Sequence, residues 1–303
     1  MEFQKCNVCP HNCNVDRYIL GNGFCKSPAK PLISSICIHK GEEPVISGNK
    51  GICNVFFAHC NLQCVYCQNY QISRNKSNNF KDYSIEDIVD EIINNIENSE
   101  NIVGFVSPSH FVPIVVQIID EIRRRGKNPV FVYNSNAYDS VDSLKKLEGK
   151  IDVYLPDFKY SDENLGFKLS GVKNYPQIAI NSIKEMYRQK GSSLFVNETS
   201  GIVESGLIIR HLLLPGFVEQ SKNVLNIIAD EISTSLNISL MSQYYPPYDI
   251  AEFENLNRNI NDAEYTELID YFYELGFYKG FFQELTSKDN YKPQVNENNE
   301  IHF

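Results

Sequence analysis

The chain has 303 residues; 42% are hydrophobic, 28 are Lys or Arg and 38 are Asp or Glu, giving a formal charge of −10. That length carries one large α/β domain, or one such domain with a small appendage, and the acidic surplus argues against broad binding to nucleic acid or anionic lipid. No apolar run approaches the ~18 residues of a membrane span, and the opening MEFQKCNVCPHNC lacks the apolar core of a signal peptide, so a cytoplasmic protein is expected.

Residues 1–50 are rich in Cys, Gly and Pro and show little periodicity. They read as a small Cys-rich domain held by metal rather than by a core. From residue 51 strands and helices alternate, and this main domain is expected to reach residue 285. Its first strand is the apolar run Val55–Ala58. Ser84 then caps a helix to about Asn98, with Asp87 in an acidic first turn and a stripe of Ile85, Ile88, Val89, Ile92, Ile93 and Ile96. Further strands are predicted at Ile102–Val106, Pro129–Tyr133, Ile151–Leu155, Leu207–Leu214, Ile238–Met241 and, shorter, Gly280–Gln283. Helices are predicted over 111–125, 139–148, 161–190, 219–235 and 261–275. Regular alternation points to βαβ units, a parallel sheet and helices outside it. The expected fold class is α/β, a partial (β/α)6 TIM-type barrel with a small Cys-rich N-terminal domain. Its chemistry belongs at the strand-end loops. The polar tail of 286–303 is expected to pack loosely after Ser287.

All nine cysteines lie within the first 67 residues. Short-spaced thiols in a reducing compartment read as metal ligands. Cys60, Cys64 and Cys67 follow the first strand directly. Three thiolates suit a cubane cluster with one iron left open; zinc, with Cys53 or His59 as the fourth ligand, is the competing reading. Cys6, Cys9, Cys13 and Cys25 can close a second site around zinc or an auxiliary iron–sulfur cluster, or hold no metal. Cys37 is read as a buried free thiol.

The string CNLQCVYC, with an aromatic before its last Cys, resembles the radical S-adenosylmethionine (radical SAM) superfamily. HKGEEPVISG, VFFAHCNLQCVYCQNYQIS, VYNSNAYD, IDVYLPDFKY, RHLLLPG and LMSQYYP together resemble the PflX-like iron–sulfur proteins related to pyruvate formate-lyase activating enzyme, over about residues 6–285. Cys53 and His59 depart from the small residues usual before the first cluster Cys. The resemblance implies a [4Fe-4S] cluster on Cys60, Cys64 and Cys67. It also implies cleavage of S-adenosylmethionine to a 5′-deoxyadenosyl radical that takes a substrate hydrogen, with electrons from a flavodoxin or ferredoxin. It places Tyr66 beside the adenine. Ser107, Ser109 and His110 stand where the superfamily contacts the methionine amino group, although SPSH departs from its glycine- and glutamate-rich motif. Asn134, Ser135, Asp157, Lys159 and Gln243 are further candidate contacts at strand ends, Asp157 and Lys159 alternatively forming a structural ion pair. Only one of Arg210 and His211 can face the barrel interior, and similarity to activating enzymes favours His211. Activation of a glycyl-radical enzyme, radical modification of another side chain or a small molecule, and a non-catalytic zinc or Fe-S binding protein are the functions to separate.

Overall fold

Burial on both faces gives the central strands their near-continuous apolar runs: all five residues of Ile102–Val106 are buried, as expected for a parallel sheet covered by helices. The computed structural model describes residues 2–19, 23–248, 250 and 252–286, and the backbone of 294–295 and 301–302. The strands in chain order are β1 (Leu32–His39), β2 (Ile52–Phe57), β3 (Lys81–Asp82), β4 (Ile102–Val106), β5 (Val130–Ser135), β6 (Val153–Pro156), β7 (Phe195–Val196), β8 (Val203–Leu212), β9 (Asn237–Met241), β10 (Gly280–Phe282), β11 (Gln294–Val295) and β12 (Ile301–His302). The helices are α1 (Pro44–Ser47), α2 (Tyr70–Ser73), α3 (Ile85–Ile96), α4 (Val112–Arg124), α5 (Val141–Lys145), α6 (Glu163–Ser170), α7 (Tyr175–Lys190), α8 (Val218–Glu231) and α9 (Asp262–Glu274).

The main sheet runs β10-β9-β8-β6-β5-β4-β2-β1-β3 and is open. Its strands from β2 to β10 along this path are parallel; β1 and β3 form an antiparallel edge. This is the expected partial (β/α)6 barrel. Alternation divides each strand between two faces. Cys53, Val55, Phe57, Val103, Phe105, Phe131, Tyr133, Leu207 and Ile209 share one apolar cluster with helix residues such as Ile88, Ile92, Ile118 and Val224. Ile52, Ile102, Val132, Val153, Leu155 and Ile208 form another with Ile46 of α1, inside the barrel.

α3 carries a full capping box: Ser84 accepts from the Asp87 N–H while Asp87 accepts from the Ser84 N–H. Two expectations are corrected. The helical stretch 161–190 is two helices, because Gly171 takes φ 71° and caps α6 in the left-handed conformation. The stretch 1–50 is not separate from the sheet. β1, hidden in a Cys- and Ser-rich context, pairs antiparallel with β2, with Cys37 opposite Asn54. The loose tail expected after Ser287 lies outside the described residues, apart from β11 and β12, which pair antiparallel. Among the described residues no helix is long and apolar enough to cross a membrane.

Candidate active site

The loop leaving β2 carries the three motif cysteines, and the end of α6 holds it. A helix end leaves its last carbonyls without internal partners. Here the Gln63 N–H donates to Ser170 O at 3.0 Å and the Val65 N–H to Leu169 O at 2.8 Å. Cys60 and Cys64 are buried and Cys67 is half-buried, all free thiols. They line a cavity of about 190 Å³ with Tyr66, Ser107, Asn134, Ser135, Asp157, Lys159, Arg210 and Gln243. Burial pushes the Cys60 thiol up to about 12, against the pull of the Leu62 N–H and Lys159. Burial, then the neighbouring Cys64, raises Cys67 as well. Buried thiols held this far from ionisation become thiolates when a metal displaces their protons. Lys159 Nζ donates to Asp157 Oδ2 at 2.7 Å. Burial opposes its charge, but Asp157 and the thiols outweigh that and hold it above the usual lysine range.

Seven of the ten predicted cofactor contacts meet in this cavity: Tyr66, Ser107, Asn134, Ser135, Asp157, Lys159 and Gln243. Ser109, His110 and His211 do not line it. Ser107 adopts φ 54° and turns the chain back toward the helix layer. Ser109 is consequently buried beside Tyr133 and Asp139. The His110 ring bonds Ala58 O through Nε2 at 3.2 Å, and burial, then Arg17, depress its pKa to about 3. His211 follows the parity of Leu207 and Ile209. It is fully buried on the helix side, its Nδ1–H donates to Phe158 O at 2.7 Å, and burial lowers its pKa to about 4.

Arg210 is the β8 residue that points inward, contrary to the preference for His211. Its Nε and Nη2 donate to the two oxygens of Glu43 at 2.9 and 2.6 Å, and Nη2 also donates to Glu42. Glu42 accepts in addition from Asn54 Nδ2 at 2.8 Å. Burial would raise the Glu42 pKa, but Arg210 and His39 outweigh it and hold the carboxyl down at about 2. Composition could not reveal this network, because Glu42 and Glu43 follow β1 while Arg210 lies on β8. A second cleft, of about 640 Å³, runs from Glu42 and Glu43 to Gln283 and shares Asn134, Arg210 and Gln243 with the first. Gln243 spans its rim, accepting from Gln283 Nε2 at 2.8 Å.

His59 and Cys53 stay clear of the motif thiols. Both His59 ring nitrogens sit 3.0 Å from backbone carbonyls, of Cys25 and Ser77. Cys53 is fully buried on the helix-facing side. Cys37 is half-buried against Phe56, Ile72 and Val106. The N-terminal cysteines gather in one loop. Cys6, Cys9 and Cys25 are each 6% exposed. Burial raises the Cys9 thiol, with Cys25, Cys6 and Cys13 close enough to add to the effect. His11 joins this loop to the motif, its Nε2 lying 2.8 Å from Asn61 O. Among the described residues no three His, Cys, Asp or Glu side chains enclose a single metal ion.

The chain is 29% identical over 274 residues to the uncharacterized protein MJ0674 of Methanocaldococcus jannaschii, covering 88% of this chain and 74% of that one. Two solved structures share its fold at 12% identity and a TM-score of 0.50: SuiB of Streptococcus suis bound to S-adenosylmethionine, and the FeFe-hydrogenase maturase HydG of Carboxydothermus hydrogenoformans. The matches cover 76% and 79% of this chain but 50% and 55% of those proteins. Residues 54–203, from β2 through the cluster loop to β8, match the radical SAM superfamily, and through that stretch the chain belongs to it.

Proposed function

We propose that this chain is a radical SAM enzyme that takes a hydrogen from a substrate seated in the cleft beside its three motif cysteines. The observation that carries the reading is the meeting of Cys60, Cys64 and Cys67 with Asp157, Lys159, Asn134 and Gln243 around one cavity. The donor set fits a [4Fe-4S] cluster: Cys60, Cys64 and Cys67 would hold it through three soft thiolates, fewer than its four irons. A cluster held there would supply one-electron reduction for the cleavage of S-adenosylmethionine.

The protein's own residues do the rest. Lys159 places a positive charge beside thiolates that would otherwise be buried without compensation. Asn134, Ser135 and Gln243 offer hydrogen bonds at the ends of β5 and β9 for the polar parts of S-adenosylmethionine. Phe56, Leu62, Ile72, Val106, Leu212 and Met241 wall the cavity with apolar surface that excludes water. The second cleft, continuous with the first, is the place for substrate. Glycyl-radical-enzyme activation is the narrower reading and asks that cleft to admit a loop of another protein. A preformed polar chamber also suits a small molecule. A cytoplasmic flavodoxin or ferredoxin is the electron donor this chemistry calls for.

We also assign Cys6, Cys9, Cys13 and Cys25 to a second metal centre, zinc or an auxiliary cluster. Their support is the closeness of Cys6, Cys13 and Cys25 to Cys9 and the burial of Cys6, Cys9 and Cys25, together with a Phe24 N–H bond to Cys13 Sγ at 3.3 Å. One preparation tests both assignments. Full-length protein is reconstituted anaerobically, its iron, sulfide and zinc are counted, and dithionite and S-adenosylmethionine are added. Release of 5′-deoxyadenosine is expected from the wild type and its loss from Cys64→Ala. A fully loaded wild type that releases none under any reductant ends the catalytic reading. Metal counts identical in wild type and Cys9→Ser end the second assignment.

A further inference from the structure

Each motif thiol has a side-chain hydrogen-bond partner of its own. Asn136 Nδ2 lies 3.4 Å from Cys60 Sγ, Ser170 Oγ 2.9 Å from Cys64 Sγ, and Ser73 Oγ 3.1 Å from Cys67 Sγ. The partner of Cys64 does not stand alone. Tyr160 OH is 2.6 Å from Ser170 Oγ, and Tyr66 OH is 2.7 Å from Tyr160 OH. Ser170 and Tyr160 are fully buried and Tyr66 is 5% exposed.

A hydroxyl has one proton to give, and a thiolate can only accept. With Cys64 ionised, Ser170 donates to sulfur and accepts from Tyr160, which in turn accepts from Tyr66. The row therefore has a single direction, and all its dipoles point at Cys64. Ser170 is the last residue of α6, whose terminal carbonyls bind the Gln63 and Val65 N–H groups on either side of Cys64. One helix end thus fixes the loop and the donor together. Tyr66 closes the circuit from within the motif, with its ring edge-on to Tyr160 and Tyr244.

We infer that Tyr66, Tyr160 and Ser170 form a hydroxyl relay that polarises the Cys64 thiolate and raises the reduction potential of the centre held there. The inference rests on the cluster assignment to Cys60, Cys64 and Cys67. Reduction adds negative charge that spreads onto the sulfurs. A donor aimed at one of them therefore stabilises the reduced state more than the oxidised one. Hydroxyls in series strengthen the last bond of the row. These are positioning residues, acting through Cys64.

The test is a redox titration, followed by electron paramagnetic resonance, of reconstituted full-length protein with iron and sulfide counted in every sample. Ser170→Ala should lower the reduced-to-oxidised ratio at a fixed potential by about tenfold, equivalent to about 59 mV for a one-electron couple. Tyr160→Phe should shift it in the same direction by less, and Tyr66→Phe by less again. Ser170→Thr, which keeps the hydroxyl, should titrate near the wild type. Ser170→Ala and Tyr160→Phe titrating with the wild type at full iron load would overturn the relay. If Ser170→Ala loses iron, Tyr160→Phe decides the matter, because its hydroxyl does not touch sulfur. A wild type that assembles no four-iron centre overturns the cluster assignment and the relay with it, an outcome distinct from a loaded wild type whose variants do not move.

Discussion

Arg210 shows how much one side chain can organise. It is 8% exposed and bonds two carboxylates that are themselves nearly buried. An ion pair so placed contributes little net stability, because desolvation offsets the attraction. Removing one partner is another matter. Arg210→Met is expected to leave Glu42 and Glu43 buried with uncompensated charge and to cost about 3–5 kcal/mol, measured by urea denaturation. Adding Glu42→Gln and Glu43→Gln should return a large part of that loss. Arg210 lines both cavities, so the same variant should weaken turnover in the protein that stays folded. The sequence offered Arg210 and His211 as alternatives but could not say which faced inward. Packing decides that: Arg210 shares the parity of Ile208, which lies in the inner cluster, and His211 that of Leu207 and Ile209, which lie against the helices.

At the scale of elements, β2 and β4 depend on a glycine. Gly104 sits opposite Asn54 in the parallel register, and a Cβ there would stand 2.1 Å from Asn54 Oδ1 and 2.9 Å from Ile52 Cδ1. Asn54 must keep its place because its amide donates to Glu42. Gly104→Ala is therefore expected to destabilise by about 1–3 kcal/mol through overpacking, read as a lower denaturation midpoint at unchanged slope. Asn54→Ala in the same chain should relieve the clash but release Glu42, so the two changes should not add. The α6–α7 break acts at the same scale. Gly171 ends α6 where its last carbonyls can reach the cluster loop. Read as one helix over 161–190, those carbonyls would have bonded within the helix.

Across the whole molecule, burial sets the response to acid. His211 has a folded pKa of about 4 and His110 of about 3, both below the ordinary 6.5. The unfolded chain takes up these protons at a higher pH than the folded one does. The stability they contribute is full above about pH 6.5 and is lost as pH falls toward 4. Glu42, held at about 2 against an ordinary 4.5, has a stabilising effect that is lost in the same direction between those values. Unfolding free energy should therefore fall between pH 7 and pH 5 by about 2 kcal/mol for each histidine. Urea titrations at the two pH values check this. His211→Gln should flatten the slope by its share, and an unchanged slope would contradict the burial account.

Much of this protein was legible in its residue order. Helical and strand periods placed the βα units, because periodic burial leaves a local trace: the N-cap at Ser84 and the apolar run Ile102–Val106 needed no tertiary knowledge. The three cysteines after β2 stood out because ligands on one loop must be close in sequence. Tertiary structure decided what depends on distant segments meeting. It brought Glu42 and Glu43 to Arg210, and Ser170 and Asn136 to the motif thiols. It turned Ser109, His110 and His211 into the helix layer. Those partners lie more than seventy residues from what they touch. Local patterning records which face of an element is buried, whereas the identity of the group waiting there follows from sheet order and register.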